Sequence, residues 1–152
     1  MPVRAASVLA VAVAVLVGAG VAKADADPAS DVLIKHELYL PYDAKVSPAA
    51  ESRLRKAIAR ARSAGRPVRV ALIASPKDLG GVPQLFGRPL WYARYLDIEI
   101  EYFFRGDVLV VMPQGAGLAR AGGRLVADPA VIAARPGDDP DDLADTAAEL
   151  VN

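Results

Sequence analysis

Two short apolar runs, each stopped by a proline, limit what this chain can become. Val68 to Ala74 is interrupted only by Arg69 and ends at Pro76, and Asp107 to Met112 ends at Pro113. Runs this short and this continuous suit strands covered on both faces, as in a parallel sheet with helices packed against it. The segments between them carry the other half of that pattern. Ser47 is placed to cap a helix with Pro48 at its first position. Leu54, Ala57, Ile58 and Ala61 form one apolar stripe, and Gly65 closes it.

The segment from Leu90 to Phe104 reads two ways. Leu96 to Tyr102 alternates as a strand would. The longer window puts Leu90, Ala93, Leu96, Ile100 and Phe103 on one stripe at helical spacing. Fifteen residues without Gly or Pro, opened by Pro89, favour the helix. Trp91, Tyr95, Ile98 and Tyr102 then form a second apolar stripe, either covered by the C-terminal helix or left exposed as a docking site.

Other elements follow from punctuation. Val32, Ile34, His36, Leu38 and Leu40 alternate with Leu33, Lys35, Glu37 and Tyr39, which predicts a first strand over 32–40. That strand would hold His36 on an apolar face as a core imidazole. Asp78-Leu79-Gly80-Gly81-Val82-Pro83 reads as a loop with one helical turn. Gly122-Gly123 suggests a two-residue hairpin joining Leu118–Ala121 to Arg124–Ala127. Asp139 caps a last helix with Pro140 at its first position and Asp141 and Asp142 near its positive dipole end. The expected order is β-α-β-α-β-hairpin-α: an α/β fold of αβα-sandwich type, with a largely parallel sheet, right-handed crossovers, a β-hairpin and a C-terminal helix.

The first residues address the chain. Arg4 precedes an uncharged run, Ala5 to Ala22, built from Ala, Val, Leu and Gly. Ala22-Lys23-Ala24 and Ala24-Asp25-Ala26 both offer a small-x-small boundary. This is the pattern of a secretory signal over residues 1–26, leaving one domain over 27–152 outside the cytoplasm, secreted or in the cell envelope. Kept uncleaved, the run would serve as an N-terminal membrane anchor. The chain has no Cys, so disulfides and thiolate chemistry are excluded. Residues 27–135 hold 16 basic and 11 acidic side chains, a mild balance that suits an anionic surface better than nucleic acid.

If the sheet is parallel, ligands collect at the carboxyl ends of its strands. Asp43, Ser75, Lys77, Asp78 and Gln114 would lie there, beside Tyr42 and Gly115. Two carboxylates, an amine and an amide suit a cation or a phosphate-bearing ligand; the alternative is that Asp43 and Asp78 bond nearby backbone. Gly115-Ala116-Gly117 lacks the third glycine of a dinucleotide fingerprint and reads as a sharp turn. A serine–histidine pair would need Ser75 to meet His36, which no spacing supports. Trp91, Tyr95 and Tyr102 are the candidate partner-binding residues, from a segment holding six of the nine aromatics.

Val70-Ala71-Leu72-Ile73-Ala74, Asp78-Leu79-Gly80, Tyr92-Ala93 and Gly106-Asp107-Val108-Leu109-Val110-Val111 together resemble the TPM domain family of extracytoplasmic α/β domains, over roughly residues 30–118. The resemblance implies an αβα sandwich and, for some members, phosphatase activity or calcium binding. Where the family steps into its third strand with an Asp-Asn-Gly type sequence, this chain has Arg105-Gly106-Asp107. The expectation is an envelope module that binds a protein or surface partner without catalysis or cofactor. The alternative is a metal-assisted phosphatase-like hydrolase, with calcium or another divalent cation at Asp43 and Asp78.

Overall fold

The computed structural model describes residues 27–152; the predicted secretory signal over 1–26 lies outside the described residues. Asp27 opens a short helix, α1 (Pro28–Leu33), by accepting a hydrogen bond from the Ala29 N–H at 3.4 Å, with Pro28 at the first helical position. β1 (Leu38–Tyr39) follows and leads to α2 (Pro48–Ser63), which Ser47 caps through the Ala50 N–H. β2 (Val68–Leu72) is followed by two 3₁₀ turns, Pro76–Leu79 and Pro83–Leu85, and then by α3 (Pro89–Ile100). β3 (Asp107–Met112), β4 (Gly115–Arg120) and β5 (Arg124–Leu125) come next. α4 (Pro129–Ala133) and α5 (Pro140–Val151) close the chain.

The five strands stand in chain order, β1-β2-β3-β4-β5. The first two pairings are parallel and the last two antiparallel. Alternate residues of β2 and β3 feed two cores. Val68, Val70, Leu72, Leu109 and Val111 face α2 and α5, which supply Leu54, Ile58, Leu143 and Ala147. Ala71, Ile73, Val108, Val110 and Met112 face α1 and α3, which supply Leu33, Tyr92, Leu96 and Ile100. This is the α/β sandwich with a C-terminal helix that the punctuation predicts, and 95–103 is helix and turn rather than a paired strand.

Five features differ from the expectations. The predicted strand over 32–40 is mostly α1 and a turn. Asp27-Pro28 starts a helix that buries Ala29 and Leu33, only Leu38–Tyr39 pairs, and His36 is exposed rather than in the core. The crossovers are not both right-handed. Strand order advances in one sense from β1 to β3, yet α2 and α3 lie on opposite faces. The two connections therefore have opposite hands, against a preference of about 98%. The long β2–α3 connector carries the chain around, turning at Gly80 and Gly87 with φ of 51° and 77°.

Gly115-Ala116-Gly117 is no loop either: it opens β4, and Met112 pairs with Gly115 across the two-residue turn Pro113-Gln114. β4 is poor in apolar side chains because α3 lies directly on it. A Cβ at Gly117 would come within 2.3 Å of the Leu90 backbone. Fourth, the next turn is Ala121–Gly123, one residue longer than expected, since Arg120 pairs with Arg124. Finally, α5 packs beside α2, so it does not cover the second stripe of α3.

Candidate functional site

Two regions hold the residues singled out by the sequence: the carboxyl end of the sheet and the outer face of α3.

At the first, Asp78 is buried and its carboxylate is fully engaged. Oδ1 accepts from the Tyr42 N–H at 2.7 Å. Oδ2 accepts from the Ala74 and Ser75 N–H groups at 2.9 and 2.8 Å and from the Ser75 hydroxyl at 3.4 Å. The Tyr39 hydroxyl donates to the Asp78 carbonyl at 3.2 Å. Ser75 and Asp78 thus form a reciprocal cap on the turn Pro76–Leu79, tied to the segment after β1. Asp43 and Lys77 pair in solvent, Nζ to Oδ2 at 3.1 Å. Gln114 sits exposed on the β3–β4 turn, beside Gly87. No side-chain hydrogen bond joins it to the other four among the described residues.

The structure thus brings together Asp43 with Lys77 and Ser75 with Asp78, and leaves Gln114 apart. Among the described residues, no three His, Asp or Glu side chains group as metal ligands. Asp107, in the step where the resemblance expects its family's motif, is held by Arg120 of the neighbouring strand through two hydrogen bonds.

The second region is built differently. α3 buries Tyr92, Ala93, Leu96, Asp97 and Ile100. Tyr92 donates its hydroxyl to Asp27 at 2.6 Å, which ties α3 to the start of α1. Burial pushes the Tyr92 phenol far above its ordinary range and raises the Asp27 carboxyl despite that bond. Asp97 accepts from the Gly123 N–H at 2.6 Å, anchoring the β4–β5 turn, and burial raises its carboxyl as well. One oxygen of each acid, Asp27 Oδ2 and Asp97 Oδ1, has no hydrogen-bond partner among the described residues.

The opposite face of α3 meets solvent. Trp91 is 51% exposed, Ile98 49% and Tyr102 90%. Tyr95 is half-buried and stacks on Tyr92, ring centroids 6.0 Å apart. Leu85, Arg88, Trp91, Arg94, Tyr95 and Ile98 line a shallow depression of about 400 Å³. The Arg94 guanidinium lies 5.9 Å from the Trp91 ring. Of the three candidate partner-binding residues, Trp91 and Tyr95 share this depression, and Tyr102 is exposed in the turn past the end of α3.

Sequence reasoning gives Phe103 to the core. It is 59% exposed, because the helix ends at Ile100 and the N–H groups of Phe103 and Phe104 both bond the Ile100 carbonyl. That tightened end turns Phe104 inward, where it stacks under Arg69 at 4.4 Å, and turns Phe103 out against Tyr102. Arg88 and Arg94 escape sequence reasoning, although their interleaving with Trp91 and Tyr95 is a readable signal. No helix of the described residues is long and apolar enough to cross a membrane. Searches against family models, curated proteins and solved structures find no match to this chain.

Proposed function

We propose that this is an extracytoplasmic, TPM-like binding module whose docking element is the outer face of α3. One observation carries the reading: α3, packed firmly on its sheet, nevertheless presents Trp91 and Ile98 to solvent, and Tyr102 and Phe103 stand exposed in the turn just past its end. Exposing so many large apolar groups together disfavours the free state, and burying them against a partner recovers that free energy. The carboxyl end of the sheet supports the same conclusion from the other side. Its buried acid bonds backbone, and its exposed acid bonds a lysine. The location rests on the uncharged run Ala5–Ala22 with its small-residue boundaries, and the TPM resemblance agrees with it.

Trp91→Ala tests the proposal. Half of this side chain is already in water, so stability should fall by only about 1 kcal/mol, against the 3–5 kcal/mol of a core Trp. Association should weaken by about 2 kcal/mol, the size of an interface anchor. Chemical denaturation, with binding measured by calorimetry, reads both. A folding loss of about 4 kcal/mol would make Trp91 a packing residue and end the proposal. The mass of the secreted chain's N-terminus checks the location: a product beginning at Met1 or Pro2 contradicts cleavage.

A further inference from the structure

Resting on that reading, we infer that the partner of α3 is a second copy of this chain, docked antiparallel through the same helix. Three observations converge. The first is spacing. Trp91, Tyr95, Ile98 and Tyr102 recur at intervals of four, three and four residues, the seam of a paired helix. α3 ends at Ile100 with Glu101 as its cap at φ −53° and ψ −34°, so Tyr102 follows in the turn just past the helix. A two-fold axis between residues 96 and 97 would set Trp91 against the second copy's Tyr102, and Tyr95 against its Ile98. Every large residue of the strip then has a large apolar counterpart, as a self-complementary interface requires.

The second is charge. Arg94 and Glu101 stand seven residues apart on one flank of the strip. Both lie beside the β4–β5 turn: Arg94 Cγ is 3.3 Å from a Cβ position at Gly123, and Glu101 Oε1 is 3.8 Å from one at Gly122. In an antiparallel pair, like flanks meet, so Arg94 of each copy faces Glu101 of the other. Symmetry makes the ion pair twice. Neither residue has a salt-bridge partner within its own chain among the described residues.

The third is size. Covering the exposed parts of Trp91, Ile98, Tyr102 and Phe103 removes on the order of 500 Å² per copy. That is about 1,000 Å² in all, the lower bound of a specific interface. An interface at this lower bound belongs with the weak, transient class, so the dimer is a reversible one.

Charge exchange tests this on the full chain, expressed with its own leader and purified, by sedimentation equilibrium from about 1 to 200 μM. Wild type should shift from monomer to dimer across that range. Arg94→Glu alone and Glu101→Arg alone should each weaken self-association about tenfold by placing like charges opposite one another. Mixing the two single variants should restore it, because an acid then faces a base at both flanking contacts. Joining both changes in one chain should restore it for the same reason. Recovery on mixing cannot come from a folding effect, and melting curves confirm that each variant is folded. A wild type that stays monomeric, or a dimer indifferent to the swaps, overturns the inference. Vesicles of phosphatidylglycerol separate that failure from failure of the docking reading. A blue shift of Trp91 fluorescence on vesicles, with a monomeric chain, discards the second copy and makes the membrane surface the occupant. A monomer with no shift on vesicles removes the second copy as well.

Discussion

The carboxyl end of the sheet and helix α3 are both rich in functional-looking side chains, and they handle them in opposite ways. At the sheet end, the buried Asp78 carboxylate receives hydrogen bonds from three backbone N–H groups and a hydroxyl. It closes the loop between β2 and the first 3₁₀ turn as a cap closes a helix. At α3, the inner face meets two buried acids, its own Asp97 and Asp27 of α1, that each keep an oxygen without a partner among the described residues, and those residues leave the large apolar groups of the outer face exposed. Polar saturation marks a place where the fold supports itself. An unbalanced surface marks a place suited to a partner.

The largest test of that contrast compares two aspartates. Asp78→Ala strips the acceptor from three backbone donors around a buried site, each costing about 1–3 kcal/mol if left unsatisfied. A total of about 3 kcal/mol or more is expected, on the order of 10 °C in melting temperature. Asp43→Ala removes only a solvent-exposed pair with Lys77 and should stay within about 0.5 kcal/mol. If thermal denaturation finds Asp78→Ala nearly neutral, the cap reading fails and the sheet end returns as a ligand site.

A second test moves to the inner face of α3. Tyr92→Phe keeps the ring in the core but removes the donor that Asp27 uses at 2.6 Å. The buried carboxylate is left with the backbone N–H groups of Ala29, at 3.4 Å, and Ser30. A loss of about 2 kcal/mol is expected, twice that of Trp91→Ala on the outer face. Equal losses would erase the distinction between the two faces of the helix.

Much of this is legible because some signals are local and redundant. Ser47-Pro48 and Asp139-Pro140 start α2 and α5 as read, since a side-chain acceptor and a proline at the first position act within one turn. The same pair at Asp128-Pro129 starts α4, unread because α4 is one short turn and a half. Alternation over 32–40 misleads because Asp27-Pro28 caps and starts α1 just upstream, and that helix overrides a two-residue periodicity. β4 carries almost no hydrophobic signal because closeness to α3 selects Gly117, a constraint that only the folded contact reveals. The candidate site is half visible. Its stripe can be read from spacing, but whether α5 covers it depends on crossover handedness, which no residue pattern encodes. Asp78 shows its residue type and loop position; its burial and its bond from Tyr42, far away in sequence, do not show.

The smallest expected effect is also the most specific. Burial raises the carboxyls of Asp97 and Asp27 above the ordinary value of 3.8. A group raised on folding binds its proton more tightly in the native chain, so its stabilising contribution is complete below 3.8. It is lost as pH rises through the raised value. Stability should therefore decline as pH rises above 3.8 through the raised values, with the melting temperature rising as pH falls back through them. Asp141 acts in the other direction and in another window. Its bonds from Ser47 lower its carboxyl, so its contribution holds above 3.8 and disappears only in stronger acid. Asp97→Asn separates these effects. The amide oxygen still accepts from the Gly123 N–H, and no buried charge remains, so the variant should gain about 1 kcal/mol at neutral pH. The rise in melting temperature on acidification toward pH 3.8 should shrink with it. A variant that keeps the full rise, measured by calorimetric scans across that interval, would move the titration away from Asp97. The inner face of α3 would then be as well balanced as the sheet end.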